Sequence, residues 1–168
     1  MNKGLVVLVD EFDNETGVID KLEAHEKGLL HRAFSVLIFN DKNELLLQKR
    51  ASCKYHSAGL WTNTCCSHPA PGELTLDAAN RRLFEEMGLK TLLYHKHSFI
   101  YKTKFDNNLT EYELDHVYFG YSNEEPSIDL DEVETFKWLS IDKLNDLIRI
   151  HPDEFTSWFK IIMSELFK

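Results

Sequence analysis

The sequence has few of the residues that hold small secreted folds together. It carries 3 cysteines, and two of them, Cys65 and Cys66, are adjacent. An odd count with an adjacent pair is not a disulfide framework, so a reducing, cytoplasmic setting is expected. Proline numbers 4 and glycine 7, which leaves few breaks, and no internal repeat, low-complexity stretch or linker interrupts the chain. Long apolar runs are absent as well. The longest early one, Leu5 to Val9, stops at Asp10, far short of a membrane span or a secretory signal. Positive charge is in deficit: Lys+Arg is 19 against Asp+Glu 28, a formal net charge of −9. That balance argues against general nucleic-acid binding, which needs a basic surface. An anionic small molecule remains allowed, because a few local cations suffice to hold one.

What is present is ordinary for a globular protein: 43% hydrophobic and 28% charged residues. The 168 residues suit one domain spanning 1–168. A chain of this size buries roughly 70% of its unfolded surface and needs no disulfide or metal merely to fold. Leu5 to Val9 reads as a strand before a turn at Asp13–Gly17. Ala33 to Phe39 is nearly all apolar, which predicts a strand buried on both faces. Asn40–Asn43 is a turn, and Glu44 to Arg50 returns as the second strand of a hairpin. Thr75 to Met87 reads as a helix with Leu76, Ala79, Leu83 and Met87 on one face, stopped by Gly88. His97–Phe105 and Leu109–Tyr121 form a second hairpin, and Phe136–Leu139 is a short strand. Ile141–Ile150 and Phe155–Phe167 are amphipathic helices separated by Pro152. The expected fold class is α/β in the mixed α+β sense, a mixed sheet between helices.

Four groups of residues could carry chemistry. Arg81, Arg82, Glu85 and Glu86 pair at i and i+4 off the apolar helix face, where a solvated face of ion pairs is the plain reading. Cys66 and His68 stand in Trp61-Thr62-Asn63-Thr64-Cys65-Cys66-Ser67-His68-Pro69, with no Cys-x₂-Cys pair that would suit structural zinc. Glu111 and Glu113 are i and i+2 on a predicted strand, so they share a face and repel unless a cation or proton joins them. His25 and His31 are scattered and, taken singly, read as structural. Lys21, Arg50, Lys54 and Arg82 are cations in an acidic chain.

Two motifs in tandem change these readings. Glu73, seven residues, then Arg81-Arg82-Leu83-Phe84-Glu85-Glu86-Met87-Gly88-Leu89 resembles the Nudix box, whose carboxylates hold Mg²⁺ against a diphosphate. Ser67 replaces the expected first glycine, and Arg82 replaces the carboxylate after the arginine. The Trp-Thr-Asn…Cys-x-His-Pro segment directly ahead of this degenerate box resembles type 1 isopentenyl-diphosphate Δ-isomerase, a Nudix-superfamily family. Ala24-His25, His31, the Lys49–Lys54 run, Glu111-Tyr112-Glu113 and Trp158 extend the likeness from about Leu5 to Met163.

The resemblance implies a Nudix-like sheet between helices and a double-bond shift between isopentenyl and dimethylallyl diphosphate. It assigns proton transfer to Cys66 and Glu113 with help from Tyr101, and carbocation stabilisation to Trp158, with Trp61 lining the same slot. An accessory role for the neighbouring Cys65 stays open. Lys21, Arg50, Lys54 and Arg82 would bind the diphosphate, which Glu86 and the Cys66 carbonyl would also meet through Mg²⁺. His25, His31, His68, Glu111 and Glu113 would bind one divalent ion, Mn²⁺ or Mg²⁺ with Zn²⁺ as a further option. Acid would release that ion as imidazoles charge near pH 6–7. The implied partner is a small diphosphate, with no nucleic acid or membrane, acting on a monomer or weak homodimer. A pyrophosphohydrolase of a nucleoside diphosphate derivative is the nearest alternative, and a non-catalytic binding module on the same scaffold another. His95, His97 and His116 have no part in the resemblance.

Overall fold

The computed structural model describes residues 4–168. Its strands are β1 (Leu5–Val9), β2 (Glu15–Asp20), β3 (His31–Phe39), β4 (Glu44–Arg50), β5 (Trp61–Thr62), β6 (Cys65–Ser67), β7 (Tyr94–Lys104), β8 (Thr110–Tyr121) and β9 (Val133–Ser140). The helices are α1 (Lys21–Lys27), α2 (Thr75–Met87), α3 (Ile141–Ile150) and α4 (Ser157–Leu166), with a 3₁₀ turn at Pro152–Glu154. Among the described residues the strands form one mixed sheet.

The centre of the sheet is β3. Its side chains alternate between two cores, because successive residues of a strand face opposite sides. Phe34, Val36 and Ile38 pack with Ala78, Ala79, Leu83 and Met87 of α2. Leu37 and Phe39 pack with Phe155, Trp158, Phe159 and Ile162 at α4. Cover on both sides explains why the run is apolar throughout. β3 runs parallel to β8, setting His31 beside Glu113 and Ala33 beside Asp115. On its other side it pairs antiparallel with β6, setting Ser35 beside Cys66. The β7–β8 hairpin forms as expected, starting three residues earlier at Tyr94.

The first hairpin is an exception. The turn is present, with Asn43 in the left-handed region (φ 57°) and the Asn40 N–H donating to the Glu44 carbonyl at 3.0 Å. Beyond it β3 and β4 share only Phe39↔Leu45. β4 turns instead to β9, pairing from Glu44↔Ser140 to Arg50↔Val133. The gap that opens between β3 and β4 is filled by β6 and by Thr64, whose hydroxyl accepts from the Ile38 N–H and donates to the Leu46 carbonyl. The Asp13–Gly17 turn is shorter than expected, since β2 begins at Glu15. Arg32 reaches Asp13 and Glu15 at 2.7 and 3.0 Å, and His116 links Asp13 to Ser98, which gives that histidine a structural use.

Helix α1 was not expected, yet its ends are well marked. The Asp20 carboxylate accepts from the Leu22 and Glu23 N–H groups, and Gly28 closes the helix at φ 61°. On α2, Leu76 is 40% exposed rather than buried, and the inward stripe is Ala78, Ala79, Leu83 and Met87. Gly88 stops α2 at φ 68°, and a Cβ there would lie 2.8 Å from both the Cβ and the carbonyl oxygen of Ser127. Leu83→Ala removes a fully buried side chain and should cost about 2–5 kcal/mol in denaturant unfolding. A loss below about 1 kcal/mol would mean that α2 does not anchor the sheet as described.

Candidate active site

The parallel register of β3 and β8 creates a polar pit in an apolar layer. Glu113 of β8 is surrounded by three imidazoles. His68 Nε2 lies 2.9 Å from its Oε1, His31 Nε2 3.2 Å and His25 Nε2 3.8 Å. Donor atoms of His25, His31, His68 and Glu113 all fall within 4.8 Å of one another. α1 brings His25, β3 brings His31, the segment after β6 brings His68, and β8 brings Glu113. Glu111 is buried beside the group but outside it, with its Oε1 facing His56 Nε2 at 3.4 Å.

The geometry fits a cation. The His31 Nδ1 lies 2.8 Å from the Leu29 carbonyl, which only accepts, so Nδ1 carries the proton. Its Nε2 then points a lone pair at a carboxylate oxygen. The Nε2 atoms of His25 and His31 are buried with no hydrogen-bond partner. Unpaired buried nitrogens around one carboxylate are costly unless a positive ion takes their lone pairs.

The protonation states agree. Burial pushes the His68 imidazole down to about 4, against an opposing pull from Glu113, so the ring is neutral at pH 7 as a ligand must be. Burial also opposes ionisation of Glu113, but the His68 ring beside it outweighs burial and holds the carboxyl well below its usual range. Burial and the Glu113 charge push Glu111 well above that range. Tyr101 bridges the pair, donating to Glu113 Oε2 at 2.6 Å and within 3.1 Å of Glu111 Oε2, and burial keeps its phenol protonated.

A cavity of about 270 Å³ opens beside this group. Cys66, Tyr101, Glu111, Glu113 and Trp158 line it, and so do Lys21, Arg50, Lys54, Arg82 and Glu86. Adjacent residues of β6 face opposite ways, so Cys65 is sealed in the α2 core while Cys66 reaches the cavity. Cys65 therefore has no access for an accessory role. Burial raises the Cys66 thiol, which keeps it protonated. Trp61 does not line the cavity; it is half-buried beneath Lys137, whose Nζ sits 3.9 Å from the ring centre.

The Arg81–Glu85 pair lies on a solvated face as expected, but the Arg82–Glu86 pair does not. Glu86 is 5% exposed, with Oε1 taken by Arg82 at 2.7 Å and Oε2 by Gln48 at 2.9 Å. Arg82 also reaches Glu85 at 2.7 Å and Glu132 at 3.3 Å, while Lys54 pairs with Glu132. Arg81 grips Glu73 with two bonds, at 2.7 and 2.9 Å, and Glu73 in turn accepts the Ala70 N–H. That clasp ties the loop before α2 to the helix. Arg50 and Lys21 have no carboxylate partner among the described residues. The Arg50 guanidinium lies 5.2 Å from the Trp158 ring centre.

A NUDIX domain model matches residues 29–159. The chain is 53% identical to the isopentenyl-diphosphate Delta-isomerase of Pectobacterium atrosepticum, over 96% of this chain and 90% of that protein. It is 54% identical to isopentenyl-diphosphate Delta-isomerase 2 of Photorhabdus laumondii, over 96% and 92%. The chain belongs to this Nudix-type isomerase family. Solved structures share its fold: a Deinococcus radiodurans protein at TM-score 0.80 and 19% identity, covering 98% of this chain and 99% of that one, and the MutT protein of Methanosarcina mazei at 0.65 and 18%, covering 81% and 91%.

Sequence reasoning overlooked four neighbours of this isomerase-family site. Gln48 is a polar residue ending the apolar run Leu45-Leu46-Leu47, which is a readable signal of a buried polar contact. His56 stacks on Phe105 with centres 5.0 Å apart, and burial lowers it to about 3. Tyr55 and Glu132 carried no signal of their own. His95 and His97 lie outside the site, bonded to Ser98 and near Glu165.

Acid behaviour should differ from the sequence expectation of metal release near pH 6–7. In metal-stripped protein the His68 ring should titrate near 4, below its ordinary 6.5. The unfolded chain takes that proton first, so this group's stabilisation is full above about pH 6.5 and is lost as pH falls through about 4. Ring-proton NMR across this range checks it, and an apparent value at or above 6.5 would contradict the buried geometry.

Proposed function

We propose that the chain interconverts isopentenyl diphosphate and dimethylallyl diphosphate, with the residue roles set out here. One observation carries the reading: a single small cavity is lined by Cys66, Tyr101, Glu113 and Trp158 together with four cations. Its volume lies near the low end of ligand pockets, roughly 300–1,000 Å³. That suits a five-carbon diphosphate. A hydrolase has no need of a buried thiol, and Arg82 removes a carboxylate that a hydrolase of the ordinary box pattern would use.

An alkene is a poor base, so its protonation needs a strong, well-placed acid and a dry slot. Two carboxyls held together share a proton. In the metal-free chain it rests on Glu111, and the Tyr101 hydroxyl touching both is the route by which it reaches Glu113. Glu113 delivers the proton to the alkene. At the other carbon Cys66 takes up the proton that the cation loses, which it does as a thiolate returning to the thiol form that burial favours. Trp158 offers a π face to the tertiary cation, an interaction worth about 2 kcal/mol or more when desolvated. That face already accepts the Arg50 guanidinium.

His25, His31, His68 and Glu113 would hold a divalent ion, which would supply Lewis acidity at the Glu113 carboxyl. Three imidazoles suit Mn²⁺ or Zn²⁺ better than Mg²⁺, and Glu111, turned from His56, would be a fifth ligand. Glu86, with the Cys66 carbonyl, would meet the Mg²⁺ that accompanies diphosphate. Its oxygens are occupied in the free chain, so Arg82 must trade Glu86 for phosphate oxygens on binding. Arg50 and Lys21 have no carboxylate partner among the described residues and need no such exchange. Free thiols at Cys53, Cys65 and Cys66 fit a cytoplasmic setting.

The direct test is incubation with isopentenyl diphosphate and Mg²⁺, followed by NMR. Dimethylallyl diphosphate should form; inorganic phosphate or pyrophosphate would favour the hydrolase. Cys66→Ala should reduce turnover about 10²–10⁴-fold without unfolding the chain. Turnover close to wild type would remove Cys66 from the chemistry. Arg82→Glu should raise KM strongly with a smaller change in kcat, and Arg82→Lys should fall between, because lysine keeps the charge and loses the fork. An unchanged KM in Arg82→Glu would exclude the phosphate role.

A further inference from the structure

The three histidines around Glu113 are not oriented alike. His31 is turned by a backbone group: the Leu29 carbonyl takes its Nδ1 proton and leaves Nε2 free for a cation. A carbonyl is an obligatory acceptor, so this tautomer is fixed. His25 has no such backbone partner. Its Nδ1 lies 2.8 Å from the Tyr55 hydroxyl, which can donate or accept. Its Nε2 is buried and otherwise unpartnered, 3.8 Å from Glu113 Oε1.

Tyr55 reaches His25 from the loop between β4 and β5. Its neighbours on that loop face the same cavity. Lys54 pairs with Glu132, and His56 Nε2 lies 3.4 Å from Glu111 Oε1. Lys21, at the first position of α1, lies 5.5 Å from the Tyr55 ring centre. The Tyr55 ring is flanked by Lys21 and by the edge-on His56 ring, 4.6 Å between centres, and the loop spans from the diphosphate-facing cations to a ring beside Glu113.

We propose that Tyr55 is a positioning residue for the divalent metal: its hydroxyl accepts the Nδ1 proton of His25 and so directs the Nε2 lone pair of His25 at the ion. This rests on the metal-site reading above. The ion requires a lone pair at Nε2, which requires the proton at Nδ1, which requires an acceptor there. Tyr55 is that acceptor, and the hydrogen bond makes the imidazole a better ligand. Tyr55 does the work through His25 and touches neither the ion nor the reacting carbons.

Tyr55→Phe keeps the ring and deletes only the acceptor. Metal-stripped full-length wild type and variant are titrated with Mn²⁺ against a fluorescent chelator. Wild type should bind one equivalent, and the variant should bind about 10–100-fold more weakly. The melting temperature of the metal-free protein should be unchanged. An affinity within about threefold of wild type would overturn the role. A melting temperature that falls with the affinity would assign Tyr55 to loop packing and also overturn it. If wild type itself binds no Mn²⁺, the metal-site reading fails and this inference with it; if wild type binds and Tyr55→Phe binds as tightly, only this inference fails.

Discussion

A buried carboxylate facing three imidazoles is the arrangement on which the rest of the molecule depends. Glu113 is 6% exposed, and its cost in isolation would be several kcal/mol. It is supportable because β3 and β8 run parallel in a register that places His31 beside it. α1 and the residue after β6 then deliver His25 and His68 to the same oxygen. None of these contacts is local in sequence. The four side chains come from separate segments of the chain, so the cluster exists only once the sheet has formed. Local sequence signals cannot build it. The fold supplies it.

The same division of labour is visible in α2. Its apolar stripe of Ala78, Ala79, Leu83 and Met87 closes one core, and its other side carries Arg82 and Glu86 into the cavity. Glu73 and Arg81 lock the preceding loop against the helix. The family box thus keeps its architecture while its charge pattern changes. Where the box pattern has a carboxylate for metal, Arg82 places a cation that is balanced in the free chain by Glu85, Glu86 and Glu132. A charge balance of this kind favours a ligand that brings its own negative charge and can replace the carboxylates around Arg82.

Much of this was readable beforehand, and the reasons differ by element. β3 was readable because burial on both faces demands an unbroken apolar run. α2 and the last two helices were readable from period and stop signals. The partner of β4 was not, because strand pairing beyond a turn depends on tertiary packing; here Thr64 and β6 wedge β3 and β4 apart. α1 has seven residues, too few for a periodic pattern, although Asp20 and Gly28 mark its ends. At the site, Lys21, Arg50, Lys54, Cys66, Arg82, Glu86, Tyr101 and Trp158 share one cavity, and His25, His31, His68 and Glu113 share one cluster. Glu111 stands just outside that cluster, and Trp61 lies away from the cavity. Tyr55, His56 and Glu132 went unnoticed because a residue that acts on another side chain leaves no spacing pattern.

The central claim is a divalent ion at Glu113, and anomalous diffraction from crystals of Mn²⁺-loaded protein tests it most directly. The account predicts one strong peak bonded to the Nε2 atoms of His25, His31 and His68 and to the Glu113 carboxylate. Ligand bonds of about 2.0–2.3 Å are expected for a divalent ion in such a site. A crystal saturated with Mn²⁺ that shows no peak there, with the three imidazoles instead hydrogen-bonding Glu113 directly, would contradict it.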